Sequence, residues 1–298
     1  MTQGKRVVVT GAGGFVGRHL CAALAAAGHD VTAIIGPADS GAPAEKVVRA
    51  DVSDAATMHA AMAGADQLVH TAGPPSVADS FADPALFARV HVEGTAVAMK
   101  AACDEGLRSA VYVSSAEVYG AGGDAPVRED APCQPLSPYG AAKLGAEWTA
   151  RTLGRSSNMA VTVLRPFSLY GPGMRETSVL GSILRQVRSR GPVELHDLRP
   201  VRDYLHVEDF AALVLAALNR PEQAGTFNAC SGAGVSVRDL AEAALAASGA
   251  TADVSQTGAS DRPLDLLRLV GSREAAAQAL AWAPRISLAD GLPAMLRA

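Results

Sequence analysis

Short β-branched runs alternate with alanine-rich stretches along the first half of the chain. Residues 5–10 (KRVVVT), 31–35, 46–50, 67–71, 110–114 and 161–165 predict six strands. Residues 15–27, closed by Gly28, predict a first helix, and 84–105 and 138–153 predict two more. Strands that are apolar on both faces and alternate with helices predict a parallel sheet covered on both sides, a doubly wound α/β fold. After Pro166 the rhythm breaks. Gly, Pro and Arg become more frequent and the elements shorten, with helical patterns again at 236–248 and 272–280. The expected organisation is a dinucleotide-binding domain over 1–165, with a return segment near 201–230. A smaller C-terminal lobe would be built from 166–200 and 231–298.

Composition narrows the class. Hydrophobic residues are 49% of the 298, enough for a large core, but aromatics are only 4%, so that core must rest on Ala, Val and Leu. Net charge is −4 with no basic stripe, which argues against nucleic acid as a partner. Cys21, Cys103, Cys133 and Cys230 are scattered. They form neither a metal-spaced cluster nor a disulfide framework, so no metal is expected and a reducing, cytoplasmic setting is. No signal peptide pattern opens the chain, and no run of about 18 apolar residues predicts a membrane span.

The first candidate chemistry is the loop TGAGGFVG. Gly11, Gly14 and Gly17 follow the first predicted strand and open the first helix. That spacing lets the backbone turn tightly against a pyrophosphate at the helix N-terminus, as in a Rossmann-type domain. A carboxylate at the end of the second strand would grip the ribose of NAD, but that strand ends Ile34-Ile35-Gly36-Pro37. No arginine stands there for a 2′-phosphate, and Arg18 is the nearest basic candidate. NAD and NADP both stay open, with NAD the first choice. Asp51 is placed either to accept from the adenine amino group or to cap the following helix.

The second is SPYGAAKLGAE. Tyr139 and Lys143 are four apart, which puts them on one face of a helix. A cation there is expected to lower the phenol pKa, so that Tyr139 can exchange a proton with an alcohol. Ser114 and Ser115 end the fifth predicted strand, at the carboxyl edge where ligands bind in such sheets.

With these residues in view, the chain resembles the extended short-chain dehydrogenases/reductases, in the NAD-dependent epimerase/dehydratase branch acting on nucleotide sugars. The resemblance runs through TGAGGFVG, HTAG at 70–73, HVEGT at 91–95, SSAEVYG at 114–120, YGAAK at 139–143, LRPFSLYGPG at 164–173, RDYLHVEDFA at 202–211, FNACSGAGVSV and the DRP at 261–263. It implies Ser115, Tyr139 and Lys143 as a catalytic triad beside Glu117. Tyr139 would be the acid/base. Lys143 would lower its pKa and hold the nicotinamide ribose, and Ser115 would orient the reacting hydroxyl or ketone. For the cofactor it implies Gly11, Gly14, Phe15, Val16, Gly17, Asp51, Val52, Thr71, Ala72, Gly73, His91, Ser114, Tyr139, Lys143, Pro166 and Phe167. For a nucleotide-diphosphate sugar it implies Ser115, Glu117, Ser168 and the two arginines Arg202 and Arg262. Those arginines could instead pair with Asp203, Asp261 or Asp265.

Two positions depart from the family pattern. His91 and Ser168 stand where the family usually has Asn. The 4,6-dehydratases carry an acid or hydroxyl before the position of Glu117, and Ala116 supplies neither, which disfavours dehydration. The expected activity is at C4 of the sugar: a 4-epimerase first, a 4-ketoreductase or a uronic-acid decarboxylase as alternatives, and a non-catalytic redox-sensing protein least of all. The resemblance also implies a homodimer, packed through the helices predicted over 84–105 and 138–153.

Overall fold

A computed structural model describes residues 4–258 and 267–297. In its first half, β1 (Arg6–Thr10), α1 (Phe15–Ala26), β2 (Asp30–Ile35), β3 (Lys46–Arg49), α2 (Ala55–Met62) and β4 (Gln67–His70) follow one another closely. Two short helices come next, α3 (Val77–Ala82) and α4 (Pro84–Ala88). A π-helical turn over Arg89–Glu93 then leads into α5 (Gly94–Asp104). β5 (Ser109–Val113), α6 (Pro138–Ser157) and β6 (Ala160–Pro166) complete this half.

The second half holds β7 (Ser168–Tyr170), α7 (Val179–Arg188), β8 (Val193–Leu195), β9 (Val201–His206), α8 (Val207–Asn219) and β10 (Thr226–Ala229). It ends with β11 (Gly234–Ser236), α9 (Val237–Ser248), β12 (Val254–Gln256), β13 (Arg268–Leu269), α10 (Glu274–Leu280) and α11 (Leu288–Arg297).

Seven strands make one parallel sheet in the order β10-β6-β5-β4-β1-β2-β3. The sequence predicted six of them, and β10 is the seventh. Each face of the sheet is covered. Leu20, Leu24, Phe210, Leu213 and Val214 from α1 and α8 pack on one side. Met58, Met62, Met99, Ala146 and Ala150 from α2, α5 and α6 pack on the other. Small alanines let α5 and α6 approach the sheet closely, which is how a chain so poor in aromatics still closes its core.

The segment 201–230 divides. β10 pairs with β6 in the large sheet, whereas β9 pairs with β7, β11 and β13 in a four-stranded sheet. A separate core of Ile183, Leu184, Leu240, Leu245, Leu292 and Met295 joins α7, α9 and α11. The helix predicted over 84–105 runs without a break over 84–104, with a π-helical turn in its middle. The π-helical turn at Arg89–Glu93 adds a residue to the turn and directs His91 inward. Among the described residues no helix is long and apolar enough to cross a membrane.

Candidate active site

The carboxyl edge of the large sheet carries a cavity of about 450 Å³. Gly11, Gly14, Phe15, Val16, Gly17, Asp51, Val52, Thr71, Ala72 and Gly73 line it, together with Ile35, Gly36, Pro37 and Asp39. The glycines are needed there. Gly11 has φ +68°, and a Cβ on it would lie 2.7 Å from the Ala72 backbone. A Cβ on Gly17 would lie 2.2 Å from the Gly11 carbonyl oxygen. No side chain caps α1 at Gly14, so the amides of its first turn face the cavity without a side-chain acceptor. That arrangement suits a pyrophosphate. The residues present therefore fit a dinucleotide.

Asp51 does not cap α2; Asp54 does, accepting from Thr57 N at 3.2 Å. Asp51 accepts instead from Ser53 N and Ser53 Oγ, at 2.9 and 2.7 Å. These two bonds hold its carboxyl below the usual range. Asp39 was missed by sequence reasoning. It lies four residues beyond the end of β2, outside the register where a ribose-binding acid is sought.

Six residues of the expected cofactor set lie outside this cavity's wall. His91 is buried behind it, against Gly73, whose Cβ would lie 2.2 Å from the imidazole. His91 Nε2 meets the Pro74 carbonyl oxygen at 3.0 Å, and its Nδ1 is buried without a hydrogen-bond partner. Burial, with the Lys143 charge nearby, pushes His91 down to about 2. His70 sits deeper, between Thr10 Oγ1 at 2.6 Å and Thr95 Oγ1 at 2.9 Å, and is pushed down to about 3 for the same reasons. Both are neutral imidazoles at physiological pH. Pro166 and Phe167 lie instead in a second, smaller cavity. Tyr139, Lys143 and Ser114 line neither of these two cavities.

The second cavity, of about 60 Å³, is lined by Ser115, Ala116, Glu117, Pro166, Phe167, Ser168, Arg202 and Leu269. β5, β6, β7, β9 and β13 thus bring four stretches of chain (115–117, 166–168, 202 and 269) to one point. Ser115 caps the short 3-10 turn Ala116–Val118, accepting from Glu117 N at 3.2 Å. Tyr139 opens α6, behind the Ser137 cap and Pro138, so the helix start fixes where the phenol projects. Burial raises the phenol to about 12; a hydrogen bond with Ser115 pulls it down and the Glu117 carboxylate pushes it up. The three groups are therefore in electrical contact.

Lys143 behaves differently from the sequence expectation. Its Nζ donates to the Val113 carbonyl oxygen at 2.9 Å and lies 6.0 Å from the Tyr139 ring centroid. It stands 5.3 Å from the Tyr112 ring centroid. Burial pushes the ammonium down to about 7, and only Glu147 opposes that. The i,i+4 spacing does place both residues on one helix face. The lysine, however, reaches across to β5, and burial lowers its proton affinity.

Ser114, expected at the cofactor, gives its hydroxyl to Glu147 Oε1 at 2.5 Å. Glu147 also takes a bidentate pair from Arg165, at 2.9 and 2.7 Å. All three side chains are buried. Arg165 lies 4.8 Å over the Tyr119 ring, and the Tyr119 hydroxyl donates to Asn228 at 2.7 Å. Glu147 is thus a clamp: it ties the helix carrying Tyr139 and Lys143 to the strand end carrying Ser115. The sequence held a signal for it, an acid one helical turn beyond Lys143, that chemistry-directed reading passed over.

Arg202 donates to the Val201 carbonyl oxygen at 3.1 Å and faces the second cavity. The Asp203 carboxylate, its suggested surface partner, is taken by Ser231 N, Ser231 Oγ and Gly232 N at 2.7–2.9 Å. Arg262, with the DRP motif and Asp261 and Asp265, lies outside the described residues.

Comparison with known proteins gives the family. The model of the NAD dependent epimerase/dehydratase family matches residues 7–230. A GDP-6-deoxy-D-mannose reductase of Pseudomonas aeruginosa is 30% identical, over 99% of this chain and 97% of its own. A UDP-glucose 4-epimerase of Azospirillum brasilense is 31% identical, over 96% of this chain and 89% of its own. Among solved structures, a UDP-glucose 4-epimerase of Thermus thermophilus in complex with NAD superposes with a TM-score of 0.88 at 27% identity. That match covers 98% of both chains.

Proposed function

Because the chain belongs to the NAD dependent epimerase/dehydratase family, whose members here are NAD(P)-dependent nucleotide-sugar enzymes, we propose that it is a nucleotide-sugar 4-epimerase. The observation that carries this reading is the meeting of Ser115, Glu117 and Arg202 in one cavity, with Tyr139 hydrogen-bonded to Ser115.

A dinucleotide held by the glycine cavity would supply, through its nicotinamide, a hydride acceptor that becomes a donor. The rest falls to the protein. Tyr139 takes the proton of the C4 hydroxyl and later returns it, with Ser115 holding the oxygen in line. Arg202 offers a planar fork to a diphosphate. Lys143, with its lowered proton affinity, is placed to hold the nicotinamide ribose and to respond to charge arising on the phenol. Ala116 offers no acid to a departing hydroxyl, which supports C4 chemistry over dehydration.

A 4-ketoreductase is the second reading, favoured by the similarity to the GDP-6-deoxy-D-mannose reductase. Incubating the purified protein with UDP-, dTDP- and GDP-hexoses, and in parallel with their 4-keto-6-deoxy forms and reduced nicotinamide, separates the two. Appearance of the C4 epimer without net change in reduced nicotinamide is the expected result. A requirement for one reduced nicotinamide per product would replace the epimerase with the reductase.

A further inference from the structure

We propose that Asp39 fixes the cofactor as the dinucleotide with an unmodified adenosine ribose, by presenting a carboxylate in the wall of the glycine cavity where β2 itself ends without an acid. The carboxylate is held in place. Its Oδ2 accepts from Gly36 N at 2.8 Å, and Asp39 N donates to the Gly36 carbonyl oxygen at 3.1 Å. It also lies directly over the glycine turn: a Cβ on Gly13 would fall 2.4 Å from Asp39 Oδ2. The α1 N-terminus, Ile35, Pro37, Asp51 and Val52 line the same cavity. Asp39 shares that wall, so a dinucleotide seated at the α1 N-terminus would meet its carboxylate.

A carboxylate there accepts from a ribose hydroxyl and repels a 2′-phosphate. Two arginines near this loop are bonded to its backbone carbonyls. Arg49 Nη1 donates to the carbonyl oxygens of Gly36, Pro37 and Asp39 at 3.1, 3.0 and 2.6 Å. Arg18 Nη1 donates to the Gly41 carbonyl oxygen at 2.8 Å. Arg49 therefore shapes the loop that carries Asp39 instead of pointing its guanidinium at the ligand.

Calorimetric titration with ADP-ribose and with 2′-phospho-ADP-ribose tests this without turnover, and it does not depend on the choice between epimerase and reductase. The wild-type chain is expected to favour ADP-ribose by about 100-fold, the scale of one hydrogen bond to a charged group plus one like-charge contact. Asp39→Asn keeps an oxygen for Gly36 N and should narrow the preference by about tenfold or more. Arg49→Ala should weaken both ligands alike by loosening the loop. Equal or tighter binding of the phosphorylated ligand by the wild type would overturn the proposal. So would an unchanged ratio in Asp39→Asn, or a loss confined to the phosphorylated ligand in Arg49→Ala. If neither ligand binds, the cavity is not a dinucleotide site and the inference fails with it.

Discussion

The two cavities at the sheet edge are built in opposite ways. The larger is a product of backbone: glycines, one uncapped helix start and the ends of adjacent strands, most of it within the first 75 residues. The smaller is a product of side chains that arrive from four separated segments and are held by buried polar contacts. A backbone cradle is written locally in the chain and tolerates changes around it. A convergent site depends on tertiary positioning, so its failures should be larger and should follow residues that touch no ligand.

The largest expected effect lies in the convergent site. Tyr139→Phe removes the proton carrier and leaves the ring packed against Phe87 and His91. We expect kcat to fall by about 10²–10⁴-fold, with dinucleotide affinity unchanged. Near-normal turnover would remove Tyr139 from the chemistry. Glu147→Ala comes next. It strands Arg165 without its carboxylate and frees the Ser114 hydroxyl, at a cost of about 3–5 kcal/mol. Urea unfolding followed by fluorescence should show it, and Glu147→Gln should recover part of the loss. If Glu147→Ala unfolds like the wild type, the clamp between α6 and β5 does not hold the site.

Arg202→Ala is expected to be milder. Loss of a charge-assisted contact to a diphosphate should raise KM for the nucleotide sugar by about 10–100-fold. Dinucleotide binding in the other cavity should not move. An unchanged KM would mean that the diphosphate lies elsewhere, and the two cavities would then not divide cofactor from substrate as proposed.

The same contrast explains what the sequence made legible. The six strands of the first half and the glycine loop were readable because apolar runs and the G-x-x-G-x-x-G spacing are local signals. β10 and the β7–β9–β11 pairing were not, since they depend on partners distant in the chain. Ser115, Tyr139, Glu117 and Arg202 could be named from motifs, but not the electrostatics between them. Spacing put Lys143 on the face of Tyr139, yet only the fold shows its Nζ turned to the Val113 carbonyl. Asp39 was hidden because a loop residue reaches a place that strand register assigns elsewhere.

The smallest effect is a pH dependence that belongs to the backbone-built side. His70 and His91 are held neutral there, pushed down to about 3 and about 2 from an ordinary value of 6.5. Below pH 6.5 the unfolded chain binds protons that the fold refuses, so stability is highest above that pH and declines as pH falls toward 3. Each histidine contributes a slope of at most ~1.4 kcal/mol per pH unit in that window. His91→Asn offers an amide of similar reach to the Pro74 carbonyl oxygen and cannot take up a proton. The gap in unfolding free energy between variant and wild type should therefore shift in the variant's favour by up to ~1.4 kcal/mol for each unit below 6.5. Denaturant titrations of both proteins at three pH values between neutrality and the acid limit of reversible folding measure it. A gap that stays constant with pH would show that His91 exchanges its proton freely in the fold, and that the cavity wall behind Gly73 is wetter than its burial implies.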